Sequence, residues 1–188
     1  MEDIIQYSRR KFIKSISGLF IGTHLISAKS YSANNQNKRN LWDEFTEDEN
    51  KLIQASLMAT DILNYPKQGF SCAGSIVSCS LTYLGKRDEI SHVASSFGGG
   101  LGRSDLCGLL TGGHMAIGVA SGMIYKDVKQ RQKYSREISN KFWDWWESLA
   151  PIHCNELRPK YDKEGYARMI QRVALRVEEL IKPALLYY

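Results

Sequence analysis

From residue 47 onward, apolar residues recur at helical spacing along most of the chain. Thr46 with Glu49 forms a capping box. Leu52, Ile53, Leu57, Ile62 and Leu63 follow in helical register, so the pattern predicts a helix over 47–64, ended by Pro66 and Gly69. Ser71 is suited to cap a second helix carrying Ala73, Ile76, Val77 and Leu81, ending near Gly85. Asp88 starts a third, short one through Ile90, Val93 and Ala94. The segment Phe97-Gly98-Gly99-Gly100-Leu101-Gly102-Arg103-Ser104 holds too many glycines for a stable helix, because glycine loses the most backbone entropy on ordering. Ser104 or Asp105 then caps a fourth helix over 105–124. It is apolar and rich in small residues, which lets neighbours approach closely and places it at the domain centre. Residues 127–149 read as a long charged helix ending in aromatics, and 161–181 as a last amphipathic one beyond Pro151. Strand-type alternation is nearly absent. The expected fold is all-α, a compact bundle of five to six helices.

The first 33 residues read differently. Ser8-Arg9-Arg10-Lys11-Phe12-Ile13-Lys14 precedes an apolar stretch, Ile16 to Ile26, and then small residues at Ala28, Ser30 and Ala33. A charged start, a short apolar middle and a small-residue exit make an export peptide. The apolar run is too short for a membrane span. The segment resembles a bacterial twin-arginine signal. That implies a chain exported in the folded state, periplasmic or otherwise outside the inner membrane, and in contact with the membrane only during export. The expected organisation is a signal over 1–33, a linker over 34–45 and an α-helical domain over 46–188.

This division changes the meaning of the charge. The whole chain has a formal charge of +5. Arg9, Arg10, Lys11, Lys14 and Lys29 against Glu2 and Asp3 give the leader +3 of it, leaving +2 for the rest. With no basic stripe interleaved with aromatics, no nucleic-acid partner is expected.

The chemistry lies in four cysteines: Cys72, Cys79, Cys107 and Cys154. Three fall at predicted helix starts, where unpaired N–H groups and the helix dipole favour a thiolate, the form that binds metal or attacks a disulfide. Cys79 lies two turns beyond Cys72 on one helix. Their Cα atoms would be about 10.5 Å apart, against the roughly 7 Å limit for a disulfide. The absence of C-x-x-C argues against a thioredoxin-type dithiol, and the absence of C-x-x-C-H against covalent haem. In an oxidising compartment four cysteines allow two disulfides, with connectivity open. Alternatively, all four are small buried hydrophobes.

Gly69-Phe70-Ser71-Cys72-Ala73, the 97–103 glycine segment, Cys107-Gly108-Leu109-Leu110-Thr111-Gly112 and Cys154-Asn155-Glu156-Leu157 together resemble the C-GCAxxG-C-C family. These are small helical bacterial proteins described as redox-active, related to the split-Soret cytochromes. The resemblance covers about 48–181. It departs from the pattern at Ser71 and Ile76, where glycines are usual, and Cys79 is extra. A cysteine found in some members near the C-terminal helix is missing, as are the haem motifs. The resemblance implies a redox role for Cys72, Cys107 and Cys154 beside the glycine loop.

The loop residues Gly98, Gly99, Gly100 and Gly102, with Arg103, are candidates for enclosing a cofactor or anion. They match neither a nucleotide P-loop nor a dinucleotide fingerprint. His114, seven residues after Cys107, and His153 are candidate metal ligands beside thiolates. Phe142, Trp145, Trp146 and Leu149 form a stripe that is a core or homodimer face. The expectation is an exported redox protein carrying an iron–sulfur or other metal centre for electron transfer. Its ligands are Cys72, Cys107 and Cys154, with Cys79 or His114 as the fourth. A metal-free thiol–disulfide protein and a partner protein with inert cysteines are the alternatives, and the redox partner is unspecified. Replacing Arg9 and Arg10 by lysine should leave the precursor in the cytoplasm, because the receptor reads the guanidinium pair. Cell fractionation measures this, and normal export of the variant would remove the signal assignment.

Overall fold

Ser56 is the residue at which the helical periodicity misleads. The spacing predicts one helix through it, but its backbone is extended (φ −81°, ψ 127°). Its N–H donates to Leu52 and Ile53 carbonyls, closing one helix, and its Oγ accepts from the Ala59 N–H, opening the next. Glu178, 122 residues away, accepts from both Ser56 Oγ and the Met58 N–H at 2.7 Å. An acid at a helix N-terminus stabilises the break, and hydrophobic spacing carries no trace of it.

The computed structural model describes residues 39–86 and 88–187. The twin-arginine segment and residues 34–38 of the expected linker lie outside them. The described residues contain eight α-helices and no strand: α1 Glu47–Ala55, α2 Leu57–Asp61, α3 Asn64–Lys67, α4 Cys72–Tyr83, α5 Gly108–Ile124, α6 Val128–Glu147, α7 Cys154–Leu157 and α8 Lys163–Ile181. The fold is all-α, and the count of five to six was too low. The breaks after α1 and α2 and the single-turn α7 add helices that a periodicity argument merges or overlooks. The segment expected as a short helix after Asp88 is instead a 3-10 run, Asp88–Phe97. No described helix is long and apolar enough to cross a membrane.

α5 lies at the centre, against α4, α6 and α8. Its small residues set those distances. A Cβ on Gly112 would stand 2.8 Å from the Ala73 carbonyl oxygen of α4, and one on Gly113 would overlap the Phe142 ring of α6. Phe142 and Trp146 are fully buried, so the aromatic stripe forms core, and Trp146 Nε1 donates to the Pro151 carbonyl at 2.9 Å.

The N-terminal strap 39–46 is held by Arg172 of α8, itself buried (7% exposed). Its guanidinium donates to the carbonyls of Leu41, Asp43 and Glu44 and to the Glu49 carboxylate, and lies 4.5 Å from the Phe45 ring centroid. Leu41 is fully buried as a result. Burial alone would raise the Glu49 pKa, but hydrogen bonds from Arg172 and the Thr46 N–H, with the charges of Arg172 and Arg39, hold it at about 2. A depressed carboxylate pKa contributes stability above its ordinary value of 4.5, and that contribution is lost as pH falls toward 2. Arg172→Met should cost about 3 kcal/mol at neutral pH, because it orphans buried carbonyls and a carboxylate, and should flatten the acid limb below pH 4.5. Urea unfolding across pH measures both. An unchanged acid limb would show that Arg172 does not set the Glu49 titration.

Candidate functional site

Three cysteines meet where α4 and α5 begin. Ser71 caps α4, its Oγ accepting from the Gly74 N–H at 3.2 Å, and Cys72 is the first helical residue. Cys107 occupies the N-cap position of α5. The two helix starts touch because residue 108 is glycine. A Cβ there would stand 3.0 Å from Cys72 Cβ and 3.0 Å from the Phe97 carbonyl oxygen.

Cys154 arrives from across the chain. Leu106 and His153 form an isolated antiparallel bridge. The Cys107 N–H donates to the Ile152 carbonyl at 2.8 Å and the Cys154 N–H to the Asp105 carbonyl at 2.7 Å. Side chains alternate across an extended pair, so Cys107 and Cys154, one residue to either side of the bridge, point to the same face. The fourth helix was expected to begin at 105. It begins at 108 because 105–107 are used in this bridge.

The glycine segment covers the site. Gly99, Gly100, Leu101, Gly102 and Ser104 all have φ between 58° and 69°, and the Asp105 N–H closes the turn onto the Gly100 carbonyl. A consecutive left-handed run is open to glycine and costs other residues about 1–2 kcal/mol each, which is borne here by Leu101 and Ser104. Gly98 lies against Ser71, leaving no room for a Cβ, and a Cβ on Gly99 would stand 3.6 Å from Arg158 Nη2.

All four cysteines are free thiols. Cys107 and Cys154 lie on one face of the bridge, and each thiol shifts the titration of the other. The Cys154 pKa falls to about 6. The neighbouring Cys107 thiol, the Gly108 N–H and the Arg158 guanidinium favour its thiolate and outweigh the opposing effect of burial. Cys107 keeps its proton, its pKa pushed up by the neighbouring Cys154 sulfur and by burial. Cys72 accepts a hydrogen bond from the Tyr166 hydroxyl at 3.4 Å. Burial, with the negative charges of the Cys72, Cys107 and Cys154 sulfurs, pushes Tyr161 up to about 12. Tyr161 also lines an open groove of about 530 Å³ with Trp42, Lys160, Asp162 and Arg168.

The other candidates lie elsewhere. Cys79 is buried, with its sulfur 3.7 Å from the Met58 carbonyl, and burial and the carboxylates of Asp61 and Glu178 raise its pKa. His114 packs against the Phe142 and Trp143 rings at 5.3 and 5.9 Å, and burial lowers its pKa. His153 Nδ1 is 2.7 Å from Asp105 Oδ1 on the exposed side of the bridge. Arg103 is exposed. Arg158, Tyr161 and Tyr166 escaped the sequence reading. Only their nearness to Cys154 and to the last helix start hinted at them. Among the described residues no three His, Cys, Asp or Glu side chains are arranged to hold a metal ion. Cys72, Cys107 and Cys154 are the thiols that would hold a metal, and binding one would displace the Cys107 proton and the Tyr166 hydrogen bond to Cys72.

Cys107→Ala removes the neighbour that most favours the Cys154 thiolate. The thiolate step near pH 6 should then move upward, as read by ultraviolet thiolate absorbance against pH. An unmoved step would leave Arg158 and the Gly108 amide as its cause.

A family model described as "Putative redox-active protein (C_GCAxxG_C_C)" matches residues 70–180, which span Cys72, the glycine loop, Cys107, Cys154 and Tyr166. No curated protein and no solved structure matches the chain. The matched segment covers more than half of the chain, and the chain belongs to the C_GCAxxG_C_C family of redox-active proteins.

Proposed function

We propose that the protein is a thiol–disulfide redox protein whose working couple is Cys107 and Cys154. The observation that carries this reading is geometric: the Leu106–His153 bridge sets Cys107 and Cys154 on one face, where their surroundings favour the thiolate on Cys154 and the proton on Cys107. A thiolate is the attacking form in disulfide exchange, and a thiol pKa near ambient pH gives the fastest attack. From that Cys154-thiolate state, oxidation forms one S–S bond and releases two electrons and the Cys107 proton. An external disulfide accepts the electrons and is cleaved to two thiols, taking one proton from Cys107 and the other from water. The bridge between Leu106 and His153 lays the two segments side by side with Cys107 and Cys154 on its diagonal. Diagonal pairs in a regular ladder stand roughly 7–8 Å apart, so closing the bond draws the two segments together.

The twin-arginine motif supports export, and in an oxidising compartment the couple would rest as the disulfide. Loss of the Cys154 thiolate on oxidation would free the Arg158 guanidinium beneath the glycine loop. The metal-centre reading needs a rearranged donor set and stands second.

Air-oxidised protein, digested without reduction and mapped by mass spectrometry, should yield a Cys107–Cys154 cross-linked peptide. Cys107→Ser and Cys154→Ser should each abolish it. Iron with acid-labile sulfide in the purified protein, and no cross-link, would overturn the thiol–disulfide reading.

A further inference from the structure

We infer that Cys72 is the port through which this couple exchanges with disulfides, an inference that rests on the thiol–disulfide reading above. Cys107 and Cys154 are 3% and 5% exposed. Exchange requires three sulfurs in line, with the incoming group behind the attacked one. A disulfide carrying substituents on both sides cannot reach a sulfur that deeply covered. Cys72 is the one partly exposed cysteine of the four. It is also wired to the pair. A Cβ on Gly108, the residue after Cys107, would stand 3.0 Å from Cys72 Cβ, so the Cys72 and Cys107 helix starts are in contact. The Tyr166 hydroxyl holds the Cys72 sulfur at 3.4 Å, with the Tyr161 ring packed beside that of Tyr166, centroids 5.9 Å apart.

The reaction proceeds in three displacements. The Cys72 thiol releases its proton and its sulfur attacks an external disulfide R–S–S–R′, forming Cys72–S–S–R; R′S⁻ leaves and takes up a proton. The Cys154 thiolate then attacks the Cys72 sulfur, and RS⁻ leaves and is protonated. Finally Cys107 attacks the Cys154 sulfur and expels Cys72, which takes the Cys107 proton. The external disulfide is reduced to two thiols, the buried pair is oxidised, and Cys72 is regenerated.

Glutathione disulfide and hydrogen peroxide separate the steps, because peroxide is small enough to enter without an S–S bond to align. In wild-type protein both should produce the Cys107–Cys154 cross-link. In Cys72→Ser, glutathione disulfide should do so more slowly by roughly tenfold or more, while peroxide still does so. Cys154→Ser should accumulate a glutathione adduct on Cys72, seen by intact mass and peptide mapping. Wild-type reactivity of Cys72→Ser toward glutathione disulfide, or an adduct on Cys107 in place of Cys72, would overturn the port. Absence of the cross-link in wild-type protein with either oxidant would overturn the Cys107–Cys154 couple itself, and the port with it.

Discussion

The site exists because two helices start within contact of each other, and that contact depends on missing side chains. Gly108 and Gly112 present bare backbone to α4, where a single added Cβ would meet Ala73, Cys72 or Phe97 at 2.8–3.0 Å. Close packing of this kind tolerates no added methyl group without displacing the neighbour. A wider α4–α5 spacing would keep a hydrophobic core but separate Cys72 from the other two sulfurs. Glycine weakens a helix by about 1 kcal/mol per residue relative to alanine. The burial of α5 among α4, α6 and α8 offsets that loss, since most helix stability in a protein comes from tertiary packing.

A second geometric device divides labour among otherwise identical thiols. Cys107 and Cys154 share a face only because the chain lays 105–107 beside 152–154 before each segment turns into a helix. Three neighbours then favour a thiolate on Cys154: a thiol, a backbone amide and a guanidinium. Cys79 sits two turns up α4, where burial and the charges of Asp61 and Glu178 disfavour a negative sulfur more than the Tyr65 hydroxyl favours it. Sequence neighbourhood says little about these differences. They come from what the fold brings beside each sulfur.

Much of the architecture was legible in the sequence, because it rests on local rules. The capping box at Thr46, the Ser71 cap and the Asp162-led final helix obey short-range preferences. The all-α class follows from periodicity. What escaped was non-local. The break at Ser56 is fixed by Glu178 from the far end of the chain. The docking of 39–46, a stretch that composition reads as linker, is fixed by Arg172. The start of α5 at Gly108 is fixed by a bridge partner 47 residues on. At the site, cysteines at predicted helix starts were visible in the sequence. The phenols of Tyr161 and Tyr166 and the Arg158 guanidinium were not, because no spacing rule connects them to sulfurs 4 to 94 positions away.

The sequestration of Cys79 has a consequence of parity. With that thiol buried against the Met58 carbonyl, the proposed exchange has three sulfurs to work with, and an odd set can never be fully paired within one molecule. Every singly cross-linked form retains one unpaired sulfur beside the bond, able to reopen it from within. Chains with an even set can close into a form with no internal nucleophile left and become locked. Here the arithmetic prevents that end state, and a wrong pairing among the three is only a step on the way to another.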